Sequence, residues 1–120
     1  MKHRILVVDD EPMIRSLLRR KMEQEGHEVV EAADGRKAIR CLQESEFDLV
    51  IADILMPEQD GLEVIMYLQR EQPDVKIIAV TGLGNQLYLA CAEKLGAARV
   101  FSKPFELSEV AAAAGELLPQ

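Results

Sequence analysis

Short aliphatic runs alternate along this chain with longer segments whose apolar residues recur at helical spacing. Ile5-Leu6-Val7-Val8 is the first run, apolar on both faces, as in a parallel sheet covered on both sides. It stops at Asp9-Asp10-Glu11. Pro12 suits the first turn of a helix, and Ile14, Leu17, Leu18 and Met22 repeat at helical spacing up to Gly26, which predicts the stop. Glu28-Val29-Val30-Glu31-Ala32 reads as a short alternating strand, Asp34-Gly35 as a turn, and Ala38, Ile39 and Leu42 as a second helix face. Leu49-Val50-Ile51-Ala52 is a third strand and ends in Asp53. After the Met56-Pro57 break and Gly61, Leu62, Ile65 and Leu68 form a third helical stripe, closed by Gln72-Pro73-Asp74. Lys76–Thr81 predicts a fourth strand, Leu87, Cys91 and Leu95 a fourth helix ending at Gly96, and about Ala98 to Ser102 a fifth strand. Leu107, Val110, Ala114 and Leu117 line a last helix.

Five strand–helix alternations imply an α/β fold, an open, doubly wound parallel sheet of five strands with five helices on its two faces. At 120 residues the chain suits one domain, and no linker or low-complexity segment interrupts it. A formal net charge of −7 disfavours direct nucleic acid binding, and Arg15, Arg19, Arg20 and Lys21 alternate with apolar residues of one helix without forming a basic stripe. The N-terminus is too weakly apolar for a signal peptide or membrane span, so a cytoplasmic protein is expected. Cys41 and Cys91 form no CxxC pair and no metal spacing with His3 or His27, and both are expected to face the core.

In such sheets ligands bind at the carboxyl ends of the strands, where strand order reverses. Asp9 and Asp10 follow the first strand, Asp53 the third, Thr81 ends the fourth, and Lys103 follows the fifth. Three carboxylates, a hydroxyl and an ammonium therefore meet at one edge. Carboxylates held together repel each other, and a hard cation relieves this; an oxygen-only donor set favours Mg²⁺ or Mn²⁺. The same setting suits phosphoryl transfer, with an aspartate as covalent acceptor. Each residue also has a plainer role: Asp10 capping the first helix, Asp53 starting a turn, Thr81 an ordinary strand residue, Lys103 a surface charge. Four strand ends would then carry compatible groups by chance.

The segments Ile5–Glu11, Leu49–Pro57 with Asp60-Gly61, Val80-Thr81-Gly82 and Phe101-Ser102-Lys103-Pro104-Phe105 resemble the receiver domains of two-component response regulators, over essentially residues 1–120. The resemblance implies a flavodoxin-like sheet of order 2-1-3-4-5. It implies that Asp53 accepts a phosphoryl group from a sensor histidine kinase or a histidine phosphotransfer protein. By the same resemblance Asp10 and Asp53 bind Mg²⁺ (with Mn²⁺ as an alternative), Asp9 acts through a metal-bound water, and the Leu55 backbone carbonyl adds a ligand. Thr81 and Lys103 would contact phosphoryl oxygens, with a cis Lys103-Pro104 bond helping to aim the lysine. The chain would be a switch that catalyses its own phosphorylation and slow dephosphorylation, not a metabolic enzyme. Receivers of this family often dimerise or signal through helix 4, strand 5 and helix 5, and the first helix, with Met13, Ile14 and Arg15, is where the donor would dock.

The chain also departs from the family pattern. Val100 stands where an aromatic ring or histidine is usual, and Phe101, one residue on, is expected to point to the opposite face and into the core. In the family this chain resembles, the positions two after the acceptor aspartate and two after the threonine flank the path of attacking water. Here they are Leu55 and Leu83, which cannot hydrogen-bond it, and this predicts a long-lived phosphorylated state. Leu87-Tyr88-Leu89-Ala90 is either a contact surface or a wide buried stripe. Two rival readings are a haloacid-dehalogenase-type phosphatase and a degenerate receiver acting only as a binding module. The phosphatase family places its nucleophile after the first strand in a DxD pattern, unlike Asp9-Asp10-Glu11, and all five site positions of a receiver are present.

Overall fold

The computed structural model describes residues 2–56, 61–82 and 86–119. Five strands, β1 (Arg4–Val8), β2 (Glu28–Ala32), β3 (Leu49–Asp53), β4 (Lys76–Thr81) and β5 (Arg99–Ser102), alternate with five helices. The helices are α1 (Pro12–Gln24), α2 (Gly35–Glu44), α3 (Gly61–Glu71), α4 (Gln86–Leu95) and α5 (Leu107–Leu117). The strands pair in parallel in the order β2-β1-β3-β4-β5. The elements match the hydrophobic pattern closely; α1 stops at Gln24, short of Gly26, and β5 begins at Arg99.

Alternation along the strands sorts the core into two layers. Leu6, Val8, Val50, Ala52, Ile77 and Ala79 pack with α2, α3 and α4, through residues such as Leu42, Ile65, Leu68 and Ala92. Ile5, Val7, Leu49, Ile51, Ile78 and Val80 pack with α1 and α5, through Leu18, Met22, Val110 and Ala114. With both faces covered, β1 and β3 are buried almost throughout, which is why they read as unbroken apolar runs.

Local chemistry sets the helix ends. Asp34 caps α2, its side chain accepting the Lys37 N–H at 2.8 Å. Gly96 closes α4 with φ of +125°, and a Cβ there would also run into the Gln69 side chain.

α4 departs from the expected face. Leu89 and Ala92 are its buried residues, whereas Leu87 is 76% exposed and Cys91 and Leu95 are also exposed. The core-facing reading of Cys91 is therefore corrected, and Cys41 is half-buried against the α2/α3 layer. The cause is geometric: the Leu87/Cys91/Leu95 and Leu89/Ala92 stripes both satisfy helical spacing, and only packing decides between them. On α1, Leu17 is likewise exposed while Leu18 and Met22 are buried.

Candidate functional site

Strand order reverses between β1 and β3. From these adjacent strands the chain leaves into α1 on one face and α3 on the other, and the carboxyl ends between them form the crevice. Asp9 and Asp53 stand at those two ends, and both are buried. Asp10, next along, is exposed. Each of the three acids offers an oxygen within 4.8 Å of the other two.

The strand ends fix these groups in different ways. Asp53 Oδ1 accepts the Leu55 N–H at 3.0 Å, an Asx-type turn, so the plainer role foreseen for Asp53 coexists with its place in the cluster. Asp9 Oδ1 accepts the Glu11 N–H at 2.9 Å. α1 begins at N-cap Glu11 without a side-chain cap, which leaves Asp10 without the capping role. Gly61 lets α3 start against the site: its N–H donates to Ile54 O at 3.2 Å, and a Cβ would strike the Asp53 carbonyl oxygen and lie 2.8 Å from Ile54 Cα.

Lys103 enters from the far side of the sheet. Its backbone N–H donates to Thr81 O at 2.6 Å, tying the ends of β4 and β5 together, and the Lys103-Pro104 bond is cis, as expected. Its Nζ lies 2.7 Å from Glu11 Oε1, 3.0 Å from Asp53 Oδ2 and 3.1 Å from Asp9 Oδ2.

One ammonium does not satisfy this much acid. Burial, more than any other cause, raises the carboxyls of both Asp9 and Asp53 above their usual range; amide N–H groups and Lys103 oppose it. Burial alone would lower the Lys103 pKa, yet Glu11, Asp53 and Asp9 drive it well above the usual lysine range. Asp9 Oδ2, although near Lys103, is buried without an aligned hydrogen bond, and so is the hydroxyl of Thr81. Buried polar atoms left this way are uncommon in folded proteins and mark a place where a further group fits. The donors on offer are all oxygens, so the cluster fits a hard divalent cation.

Thr81 ends β4 on the face shared by Ala79 and Val100 by alternation and register. Val100 packs in the α2/α3/α4 layer, and Phe101, half-buried, packs against the opposite layer, as expected. Leu55 is exposed, and Leu83, Pro57 and Asp60 lie outside the described residues. Sequence reasoning gave no role to Glu11, which holds Lys103, or to the backbone contact of Arg15 with Asp9.

A family model described as response regulator receiver domain matches residues 5–114. The chain belongs to the response regulator receiver family. Receiver domains are signalling modules of two-component systems. This receiver is 32% identical to sporulation initiation phosphotransferase F of Bacillus subtilis, covering 99% of this chain and 96% of that protein. It is 37% identical to chemotaxis protein CheY of Thermotoga maritima, covering 92% of each. Other relatives are longer: the chain spans 48% of a probable transcriptional regulator, ycf27, of Cyanophora paradoxa, at 40% identity. Among solved structures, the receiver domain of NtrX from Brucella abortus superposes with a TM-score of 0.90 at 31% identity, over 95% of this chain and 97% of that one. Among the described residues no helix is long and apolar enough to cross a membrane.

Proposed function

We propose that this receiver, acting over residues 1–120 as one domain, takes a phosphoryl group onto Asp53 from a phosphohistidine of a sensor histidine kinase or histidine phosphotransfer protein. The convergence of Asp9, Asp10 and Asp53 within 4.8 Å, with Lys103 Nζ at 3.0 Å from Asp53, carries the reading. Asp9, Asp10, Asp53 and the Leu55 backbone carbonyl hold Mg²⁺, or Mn²⁺, with Asp9 acting through water. When bound, the cation supplies the positive charge that offsets the three carboxylates and the incoming phosphoryl oxygens.

A carboxylate oxygen of Asp53 forms the new bond to phosphorus as the donor's P–N bond breaks, and the electron pair returns to the imidazole nitrogen, which takes up a proton. Lys103 transfers its hydrogen bond from the carboxylate to a phosphoryl oxygen, and the Thr81 hydroxyl donates to another. The Thr81 hydroxyl is buried without a hydrogen-bond partner, and a phosphoryl oxygen supplies one.

The phosphorylated domain signals through α4, β5 and α5, where exposed Leu87 and Tyr88 supply apolar surface for a homodimer; Leu89, buried, belongs to the core. Val100 shifts with Thr81 without the swing of a ring. The protein acts in the cytoplasm, without direct nucleic acid contact by this domain, and catalyses only its own phosphorylation and slow dephosphorylation. Intact mass after incubation with Mg²⁺ and a small-molecule phosphodonor tests the reading. Wild type gains one phosphoryl group and Asp53→Ala gains none; a gain on both, or on neither where other receivers react, contradicts it.

A further inference from the structure

Arg15 of α1 makes two directed contacts. Its Nη1 donates to the Asp9 carbonyl oxygen at 2.8 Å and its Nε to Glu31 Oε1, on β2, at 2.9 Å. The side chains of Arg15 and Glu31 are only 19% and 25% exposed. Arg19 holds the other oxygen of Glu31 at 2.8 Å, so Glu31 is braced in turn.

The carbonyl that Arg15 grips belongs to the Asp9–Asp10 peptide. Because a peptide unit is planar, fixing that oxygen fixes the base from which Asp10 projects. Asp10 needs such help: its carboxylate is exposed and makes no hydrogen bond among the described residues, and α1 has no side-chain cap. The other tie on this turn, Asp9 Oδ1 to the Glu11 N–H, occupies a carboxylate oxygen. Arg15 holds the turn through the main chain and leaves the carboxylates free.

We propose that Arg15, braced by Glu31, is a positioning residue that sets the Asp9–Asp10 turn in the arrangement that binds the divalent cation. The inference rests on the reading of the acidic triad as a cation site. Charge and positioning predict opposite signs here. A guanidinium near the site repels a cation, so charge alone makes Mg²⁺ bind more tightly once Arg15 is removed. Positioning makes it bind more weakly.

The test is a calorimetric Mg²⁺ titration of wild type, Arg15→Ala, Arg15→Lys and Glu31→Gln, with thermal melts and amide exchange at Glu11 recorded without Mg²⁺. Arg15→Ala weakens Mg²⁺ binding roughly tenfold, the scale of losing a group that orients metal ligands, and speeds exchange at Glu11. Arg15→Lys keeps the charge but loses the forked reach, so its affinity falls between the two; Glu31→Gln weakens binding by less than Arg15→Ala. A folded Arg15→Ala protein that binds Mg²⁺ as tightly as wild type or better, or exchanges Glu11 at the wild-type rate, overturns the inference. If Arg15→Ala does not fold, wild-type affinity in Arg15→Lys overturns it. Failure of wild type to bind Mg²⁺ is a different result, one that removes the cation site and the inference with it.

Discussion

Lys103 Nζ stands 3.0 Å from Asp53 Oδ2, with its side chain only 15% exposed, and the same ammonium reaches Asp9 and Glu11. Removing it leaves two buried carboxylates facing each other without a counter-charge. Lys103→Met should lower stability in the absence of Mg²⁺ by about 2 kcal/mol at neutral pH, the scale of a lost hydrogen bond to a charged group. Urea midpoints measure this, and added Mg²⁺ should restore part of the loss.

The pH dependence follows from the raised carboxyls. The native state holds protons on Asp9 and Asp53 more tightly than the unfolded chain, for which the ordinary value is 3.8. The stability these groups contribute is fully present below that value and is lost as pH rises through their native pKa values. Asp53→Asn removes one share of that loss. Without Mg²⁺ the variant should match wild type in acid and exceed it at neutral pH; with Mg²⁺ the order at neutral pH should reverse. Denaturant titrations across pH, with and without the cation, check both signs.

Gly61→Ala puts a methyl group against the backbone of Asp53 and Ile54, where no flexible side chain can give way. The start of α3 must shift, at a cost of about 1–3 kcal/mol, and phosphorylation should slow because Asp53 moves with its carbonyl. Denaturant midpoints and initial rates with a small phosphodonor report the two effects separately.

Leu55, 41% exposed beside Asp53, offers an attacking water no hydrogen bond. Asparagine in its place should help to orient that water; one such bond, roughly 1 kcal/mol, shortens the phosphorylated lifetime about fivefold. The same change at Leu83 should act in the same direction. Unchanged decay in both variants, followed by loss of the phosphorylated mass, would make the two leucines packing residues only.

The sheet was legible because burial on both faces writes each inner strand as an apolar run, and each run that reaches the crevice ends in a polar residue: Asp9 after β1, Asp53 on β3, Thr81 on β4. The face of α4 was not, since Leu87/Cys91/Leu95 and Leu89/Ala92 fit one helix equally well and only the second meets the sheet. Glu11 and Arg15 were visible as residues but not as partners. Glu11 meets a lysine 92 positions away and Arg15 a glutamate 16 away, pairings that exist only once β2 and β5 flank the strands they lie beside.

Reduction of the phosphorylated protein with borohydride tests the central assignment most directly, because it converts an aspartyl phosphate into homoserine and leaves a free aspartate untouched. After treatment with Mg²⁺ and a phosphodonor, peptide mapping should find homoserine at position 53. Homoserine at Asp9 or Asp10, or a phosphorylated protein that yields none, would contradict it.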